Sequence, residues 1–155
     1  MGVKYIIAHW TAGGAMPNST DLNAYQLVID YKGGVHTGKP QGKTASTGGM
    51  NSITYNISCC GGGKVKLTKV QCERFFKECA LALKKYGLTV DKVYTHYEIG
   101  EMCRNKTINK LLLYNKWLYQ NIGKIDLTEL PYNVDKNKTG DFIRSKILWY
   151  YTKNE

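Results

Sequence analysis

The sequence predicts an α/β fold: a single domain in which helices flank a mixed central β-sheet. Short apolar runs of strand length alternate with longer segments of helical periodicity, which is the pattern of an α/β protein. A hairpin signal interrupts strict β-α-β repetition and therefore favours a sheet with both parallel and antiparallel neighbours. The 155 residues suffice for one hydrophobic core, so we expect residues 1–155 to form one domain.

The predicted strands are short segments rich in β-branched and aromatic residues or alternating in polarity. The first predicted strand is expected to end near His9, and the last one leads directly to His96. Lys32-Gly33-Gly34 has the composition of a hairpin turn. Two glycine-containing stretches, residues 10–24 and 38–51, are expected to be loops. The segments with strand character are residues 3–9, 25–30, 35–37, 52–60 and 92–95.

Three segments favour helices. Residues 68–86 begin with the capping-box pattern Thr68 to Gln71, carry apolar residues at helical spacing and stop at Gly87. Residues 108–119 mix apolar and basic side chains and are also predicted to be helical. Residues 141–152 predict an amphipathic C-terminal helix. Its inward side chains are expected to be Phe142, Ile143, Ile147 and Tyr150.

The formal charge of +10 predicts attraction to polyanions such as nucleic acid, anionic membranes or an anionic cell wall. The basic residues are spread along the chain, and no zinc-finger, RNA-recognition or helix-turn-helix signature accompanies them. We therefore expect no dedicated nucleic-acid binding. No apolar run is long enough to cross a bilayer, so we expect no membrane span.

The amino terminus leads directly into the first predicted strand and carries no long apolar region typical of a secretion signal. We therefore expect synthesis in the cytoplasm without a signal peptide. The five cysteines are an odd number, and Cys72 and Cys79 fall on one face of a predicted helix. Reduced thiols in the core are the expected state.

Two of the three histidines are candidates for metal binding. His9 and His96 each end an apolar strand and enter a polar or glycine-rich loop, where a rigid scaffold exposes ligands. Catalytic zinc sites take three protein ligands and keep a fourth position open. From these residues alone a structural role is the favoured interpretation of each histidine, because a spacing of 87 residues is not a self-contained metal motif.

Several motifs together resemble the type 2 family of N-acetylmuramoyl-L-alanine amidases. These are strand-His-x-Thr-Ala-Gly at His9, Tyr-x-x-x-Ile-Asp-x-x-Gly from Tyr25 to Gly33, Gly-Lys-Pro at residues 38–40, and Thr-His-x-Glu around His96. The family includes phage amidase endolysins, bacterial amidases and peptidoglycan-recognition proteins. The resemblance implies this family's mixed-sheet fold, a Zn²⁺ cofactor, and hydrolysis of the amide between the lactyl group of N-acetylmuramic acid and L-alanine.

The resemblance also implies a ligand set. The family's third ligand follows a lysine by two positions, and Lys124-Ile125-Asp126 has that pattern. We therefore predict that His9, His96 and Asp126 bind zinc. Cys103 is the rival third ligand because it lies nearer to His96, but it has no lysine two residues before it. With Asp126 as the ligand, residues 105–121 are interpreted as an insertion.

Tyr25 and Lys124 align with the family's active-site tyrosine and lysine, so we predict catalytic roles for both. The Lys124 cation would stabilise the oxyanion, and Tyr25 would orient the attacking water or relay a proton. Without the resemblance, Tyr25 is interpreted as an aromatic residue at a strand edge. Glu98 is either a partner of the metal site or a solvated loop carboxylate.

The expected function is that of a phage or prophage endolysin, a monomer that acts on peptidoglycan or muropeptides after release at host lysis. Two alternatives stay open from the sequence. One is a peptidoglycan-recognition module that has lost catalysis, and the other is an amidase with a second, regulatory binding role.

Overall fold

A five-stranded mixed sheet forms the centre of the protein, with strand order β3-β2-β4-β1-β5. The computed structural model describes residues 2–113 and 115–153. Strands β2, β4, β1 and β5 are parallel to one another, whereas β3 pairs antiparallel with β2 across the predicted hairpin. The strands are β1 Tyr5–Trp10, β2 Leu27–Ile29, β3 Val35–Thr37, β4 Thr54–Cys59 and β5 Val93–Thr95. The predicted fold class is confirmed.

Among the described residues, four α-helices surround the sheet: α1 Ser19–Ala24, α2 Lys69–Tyr86, α3 His96–Arg104 and α4 Thr139–Thr152. Short 3₁₀-helices lie at Asn51–Ile53, Val90–Lys92, Ile108–Leu111, Lys116–Asn121 and Lys136–Lys138. None of the helices within the described ranges is long and apolar enough to cross a membrane.

The two faces of the sheet have different partners, because successive side chains of a strand point to opposite sides. Ile6, Ala8 and Trp10 of β1 belong to the larger core cluster with residues of α2 and α4. Tyr5 and Ile7 belong to a second cluster with residues of α3 and the following 3₁₀-helices. By the same alternation His9 points to the second side, at the carboxyl end of β1.

Three local predictions were wrong. His96, expected to enter a loop, instead begins α3. Residues 19–24, expected to be loop, form α1, because Asn18 and Asp21 form a capping box that offsets the poor helix propensity of the segment. Residues 108–119 were expected to form one helix, but their described part contains two 3₁₀-helices, and Leu112 after the first has a left-handed φ of 57°. Each short helix buries its own apolar side chain, Ile108 in the first and Leu118 in the second. These separate contacts take the place of the continuous apolar stripe that a long helix requires.

The amino-terminal end of α3 is held to α4 by a charged side-chain cluster. Thr95 and Glu98 form a capping box at the start of α3. Both oxygens of Glu98 accept hydrogen bonds from Arg144 of α4, at 2.8 and 2.7 Å, and Arg144 also donates to the carbonyl of Val93. Because His96 is the first residue of α3, this cluster helps to fix its position.

We expect Arg144→Ala to lower the free energy of unfolding by about 2 kcal/mol, because it leaves the half-buried Glu98 carboxylate without its bidentate partner. Arg104→Ala is the matched control, since Arg104 pairs with Glu101 on the surface of a single helix. That loss should be about 0.5 kcal/mol or less. Urea unfolding of both variants measures the difference, and equal losses would contradict the role of the cluster.

Candidate metal centre

Three buried side chains converge at the carboxyl end of β1: His9, His96 and Asp126. One potential ligand atom from each lies within 4.8 Å of the others. The Nδ1 atom of His9 is 3.4 Å from Oδ2 of Asp126, and Nδ1 of His96 is 3.8 Å from the same oxygen. The structure thus brings together the three residues that the family resemblance selected.

The two histidines meet because β1 and β5 are adjacent parallel strands. Ala8 of β1 is in register with Thr95 of β5, so the residues that follow them, His9 and His96, lie at the same edge of the sheet. Their rings lie edge to face with centroids 4.8 Å apart. Side chains at the carboxyl ends of parallel strands are a recurrent location for ligand sites.

Asp126 reaches this edge from the loop that follows the last 3₁₀-helix of the 105–121 segment. Its Oδ2 also accepts a hydrogen bond from the backbone N–H of Trp10, at 3.3 Å. The next residue, Leu127, is buried and has a left-handed φ of 63°. That backbone conformation is unfavourable for leucine and persists because the side chain packs in the larger core cluster.

The outward nitrogen of His9 contacts a buried polar network. Its Nε2 lies 2.8 Å from Oδ1 of Asn56 on β4, and the Thr47 hydroxyl donates to the same oxygen at 3.0 Å. The Asn56 side-chain nitrogen donates to Gln26 and Thr54. The contacts at Nε2, on the side of the ring away from Asp126, therefore hold the His9 ring in one orientation.

The outward nitrogen of His96 has an equivalent partner from a different part of the chain. Its Nε2 lies 2.7 Å from Oδ1 of Asn121, at the end of the 3₁₀-helix Lys116–Asn121. The Asn121 side-chain nitrogen donates to the carbonyls of Gly48 and Leu118, at 2.9 and 2.8 Å. The segment predicted to be an insertion thus contributes directly to the site.

The protonation states of His9 and Asp126 follow from burial and from the mutual proximity of the three side chains. Burial lowers the pKa of His9, which favours the neutral imidazole. Burial by itself would raise the pKa of Asp126, but the neighbouring His9 and His96 hold it well below its usual range. A neutral imidazole and a carboxylate anion are the forms in which these side chains bind metals.

The three residues fit a zinc ion. Tetrahedral zinc with bonds of about 2.0–2.1 Å separates neighbouring ligand atoms by about 3.3 Å. The two histidine nitrogens lie 3.4 and 3.8 Å from the Asp126 oxygen, close to that separation. Nδ1 of His9 is fully buried and has no hydrogen-bond partner among the residues that the structure describes. An unpaired lone pair beside a carboxylate is unfavourable without a cation, and a cation would satisfy both groups.

Tyr25 and Lys124 both lie beside this cluster. The Tyr25 ring is 4.9 Å from the His9 ring, and its hydroxyl donates to the Trp10 carbonyl at 3.5 Å. Burial and the charge of Asp126 raise the pKa of Tyr25. Tyr25 occupies the junction of α1 and β2 rather than the start of a strand. Lys124 is exposed at the rim.

Two surface depressions meet at the cluster, and both are lined by His96, Ser46 and Lys124. One has a volume of about 420 Å³ and extends to Trp117 and Gln120. The other has a volume of about 390 Å³ and is lined by Tyr25, Asp126 and residues that follow β1. The cluster is therefore reached from solvent along a groove with two arms.

Other sequence candidates lie away from the cluster. Cys103, the rival ligand, is buried in the second core cluster and its thiol donates to the Leu118 carbonyl at 3.2 Å. Glu98 is neither a partner of the histidines nor a solvated carboxylate, because it caps α3 and binds Arg144. His36 pairs with Asp30 at the β2–β3 hairpin, at 2.8 Å.

Sequence reasoning missed Asn56 and Asn121. A signal for Asn56 was present, because Thr54, Asn56 and Ser58 alternate with apolar residues along β4. All three are fully buried, so the polar side of this strand faces a polar interior rather than solvent. Asn121 had no comparable signal, since it follows an irregular segment whose path depends on tertiary packing.

Comparison with known proteins supports this fold. The family model described as N-acetylmuramoyl-L-alanine amidase matches residues 1–108. No curated protein sequence matches the chain. The matched range includes His9 and His96 but ends before Asp126, whose place at the site comes from the structure.

Similar folds occur among solved structures. The Staphylococcus aureus hydrolase AmiA, in complex with its ligand, is 14% identical with a TM-score of 0.61, covering 96% of this chain and 73% of that chain. The endolysin N-acetylmuramoyl-L-alanine amidase LysCS from Clostridium intestinale is 16% identical with a TM-score of 0.55, covering 72% and 85%. Drosophila peptidoglycan recognition protein SD is 18% identical with a TM-score of 0.50, covering 61% and 69%.

The buried, neutral His9 predicts a loss of stability in acid for the metal-free protein. The unfolded chain takes up a proton at His9 near pH 6.5, whereas the folded protein resists it, so the free energy of unfolding falls as the pH drops through that value. The slope from this residue should approach about 1.4 kcal/mol per pH unit below about pH 6.

Urea unfolding of the metal-free protein between about pH 7.5 and about pH 5.5 tests this expectation. His9→Gln is the comparison variant, because glutamine keeps a polar side chain without a titrating group. The variant should show a flatter pH dependence than the wild type over this window, and identical slopes would contradict the assignment.

Proposed function

Since the chain belongs to the N-acetylmuramoyl-L-alanine amidase family, we propose that it hydrolyses the amide between the lactyl group of N-acetylmuramic acid and L-alanine with a zinc ion bound by His9, His96 and Asp126. The observation that carries this proposal is the convergence of the three buried ligand atoms within 4.8 Å at the meeting point of two surface depressions. When bound, zinc would polarise the scissile carbonyl and lower the pKa of a bound water.

The residues of the chain would supply orientation and charge. Lys124 projects from the rim shared by both depressions, where its cation can stabilise negative charge that develops on the carbonyl oxygen. Tyr25 has a raised pKa and therefore keeps its proton at neutral pH. Its hydroxyl would act as a hydrogen-bond donor that orients water or the departing amide nitrogen, rather than as a free base.

The groove suits a substrate with two arms. A muramoyl peptide extends from its scissile amide as glycan in one direction and as peptide in the other, and two depressions extend from the histidine cluster. Trp117 is 59% exposed in the larger depression, and Gln120 and Asn51 line it with amide groups. An exposed indole beside amides is suited to binding a sugar, so we assign the glycan to this arm.

A lytic role on the cell wall, of phage or prophage type, is part of the proposal. It is supported by the motifs shared with endolysins and by the formal charge of +10, which favours adsorption to an anionic wall. Intact wall and soluble muropeptides are both suitable substrates for the open groove.

We expect His9→Ala, His96→Ala and Asp126→Ala each to remove bound zinc and amidase activity. Cys103→Ser should keep both, because Cys103 lies in the second core cluster and a serine hydroxyl can still donate to the Leu118 carbonyl. Elemental analysis gives the zinc content, and mass spectrometry of digested peptidoglycan detects stem peptides that begin with L-alanine.

One outcome of that experiment would reverse the third-ligand assignment: zinc retained by Asp126→Ala and lost from Cys103→Ser. Wall binding by the wild type without release of peptides would instead indicate a recognition module.

Tyr25→Phe and Lys124→Met should keep zinc but lower kcat by about 100-fold each, because they remove a donor and a cation from the reacting groups. Tyr31→Phe and Lys64→Met are matched controls at exposed positions away from the groove. Steady-state kinetics on a soluble muropeptide measures the effect. Full activity in both site variants would show that these side chains are structural.

A further inference from the structure

Both histidines of the cluster present the same ring nitrogen to an asparagine. Nε2 of His9 lies 2.8 Å from Oδ1 of Asn56, and Nε2 of His96 lies 2.7 Å from Oδ1 of Asn121. The two asparagines come from a central strand and from a 3₁₀-helix, so the repetition does not follow from a shared local motif. What each amide accepts or donates determines where the proton of each imidazole resides.

The orientation of the Asn56 amide is fixed by a chain of contacts with groups that can act only as hydrogen-bond donors or only as acceptors. The Gln26 side-chain nitrogen donates to the Pro40 carbonyl at 3.1 Å, so the Gln26 oxygen faces the other way. That oxygen accepts from the backbone N–H of Asn56 at 2.7 Å and from its side-chain nitrogen at 3.2 Å. Oδ1 of Asn56 is thereby left toward His9, where it can only accept a hydrogen bond from Nε2–H.

The Asn121 amide is fixed more directly. Its side-chain nitrogen donates to two carbonyl oxygens, those of Gly48 and Leu118. A carbonyl oxygen is only an acceptor, so exchanging the amide nitrogen and oxygen would set three acceptors against one another. Oδ1 of Asn121 must therefore accept a hydrogen bond from Nε2–H of His96.

We propose that Asn56 and Asn121 are positioning residues that lock both histidines in the Nε2–H tautomer, so that both Nδ1 lone pairs point at the Asp126 carboxylate and the site is prepared for a cation. The proposal rests on the proposed function only in taking zinc as that cation. The lock itself is a property of the metal-free protein.

The lock has a physical consequence for metal affinity. If either imidazole carried its proton on Nδ1, it could donate to Asp126, and this hydrogen bond would have to be broken before a metal could bind. With both protons held on Nε2, the carboxylate faces two lone pairs instead. The metal-free cluster is then electrostatically unfavourable, and cation binding relieves that repulsion.

Asn121 connects this lock to the substrate groove. Trp117, Gln120 and Asn121 of the same 3₁₀-helix all line the larger depression, and Asn121, which is 1% exposed, lies at its inner end. The helix end lies close to α3, because a Cβ atom built on Gly100 would lie 2.3 Å from the Asn121 carbonyl oxygen. A side chain at position 100 would therefore push Asn121 away from His96.

The direct test is the tautomer of each histidine in the metal-free wild-type protein, read from long-range ¹H–¹⁵N correlation spectra of the imidazole nitrogens above the pKa of the rings. We expect Nε2–H with an unprotonated Nδ1 for both His9 and His96. His36, whose Nε2 faces the Asp30 carboxylate, provides an internal reference outside the cluster. Detection of Nδ1–H at His9 or His96 would overturn the proposal without any variant.

The second test is zinc affinity, measured by competition with a chromophoric chelator. Asn56→Ala, Asn121→Ala and Gly100→Ala should each weaken zinc binding by about 10- to 100-fold, the usual effect of removing an outer partner of a metal-bound histidine. Asn109→Ala is the matched control, because Asn109 is an exposed asparagine in the same segment and should leave zinc affinity unchanged.

The outcomes separate the two proposals. Folded Asn56→Ala and Asn121→Ala proteins with wild-type zinc affinity would overturn the lock while leaving the amidase proposal intact. A wild type with the expected tautomers that binds no zinc would refute the zinc chemistry and keep the lock. If an alanine variant fails to fold, the wild-type spectra decide.

Discussion

The parallel pairing of β1 with β5 is the constraint on which the candidate site depends. Without it, His9 and His96 would be separated by the whole amino-terminal half of the chain. With Ala8 and Thr95 in register, the two histidines leave neighbouring strands at one edge of the sheet. The burial of all six residues of β1 stabilises this pairing, because both faces of the strand contribute to a core cluster.

The larger hydrophobic core lies on one side of the sheet, and the residues of the candidate site lie on the other. One side packs α2 and α4 against the larger core, in which Phe75, Phe76 and Ile147 are almost fully buried. The other side carries the second core cluster and, beyond it, the polar network of Asn56, Thr47 and Gln26. Burying amides and hydroxyls costs free energy unless each finds a partner. Here the partners are one another and backbone carbonyls, so the cost is offset by a network that orients His9.

The carboxyl-terminal half of the chain completes the site that the amino-terminal half begins. Asp126 and Lys124 follow the 3₁₀-helix that holds Asn121 against His96, and α4 binds Glu98 at the start of α3. A change in the packing of residues 116–121 therefore acts on the groove wall and on one metal ligand at the same time. The family model ends at residue 108 and does not include residues 116–121, so this coupling is seen only in the structure.

The sequence by itself determined the fold class, most strand positions, the long helix α2 and its caps, because these depend on local periodicity and capping patterns. The family motifs selected His9, His96, Asp126, Tyr25 and Lys124, and the structure places all five around one groove. Only the tertiary structure decided the role of Glu98, the path of residues 108–121, and the pairing of each histidine with an asparagine. Those features depend on contacts between residues distant in sequence, such as the 25 positions between His96 and Asn121, and no local pattern encodes which distant amide will meet which ring.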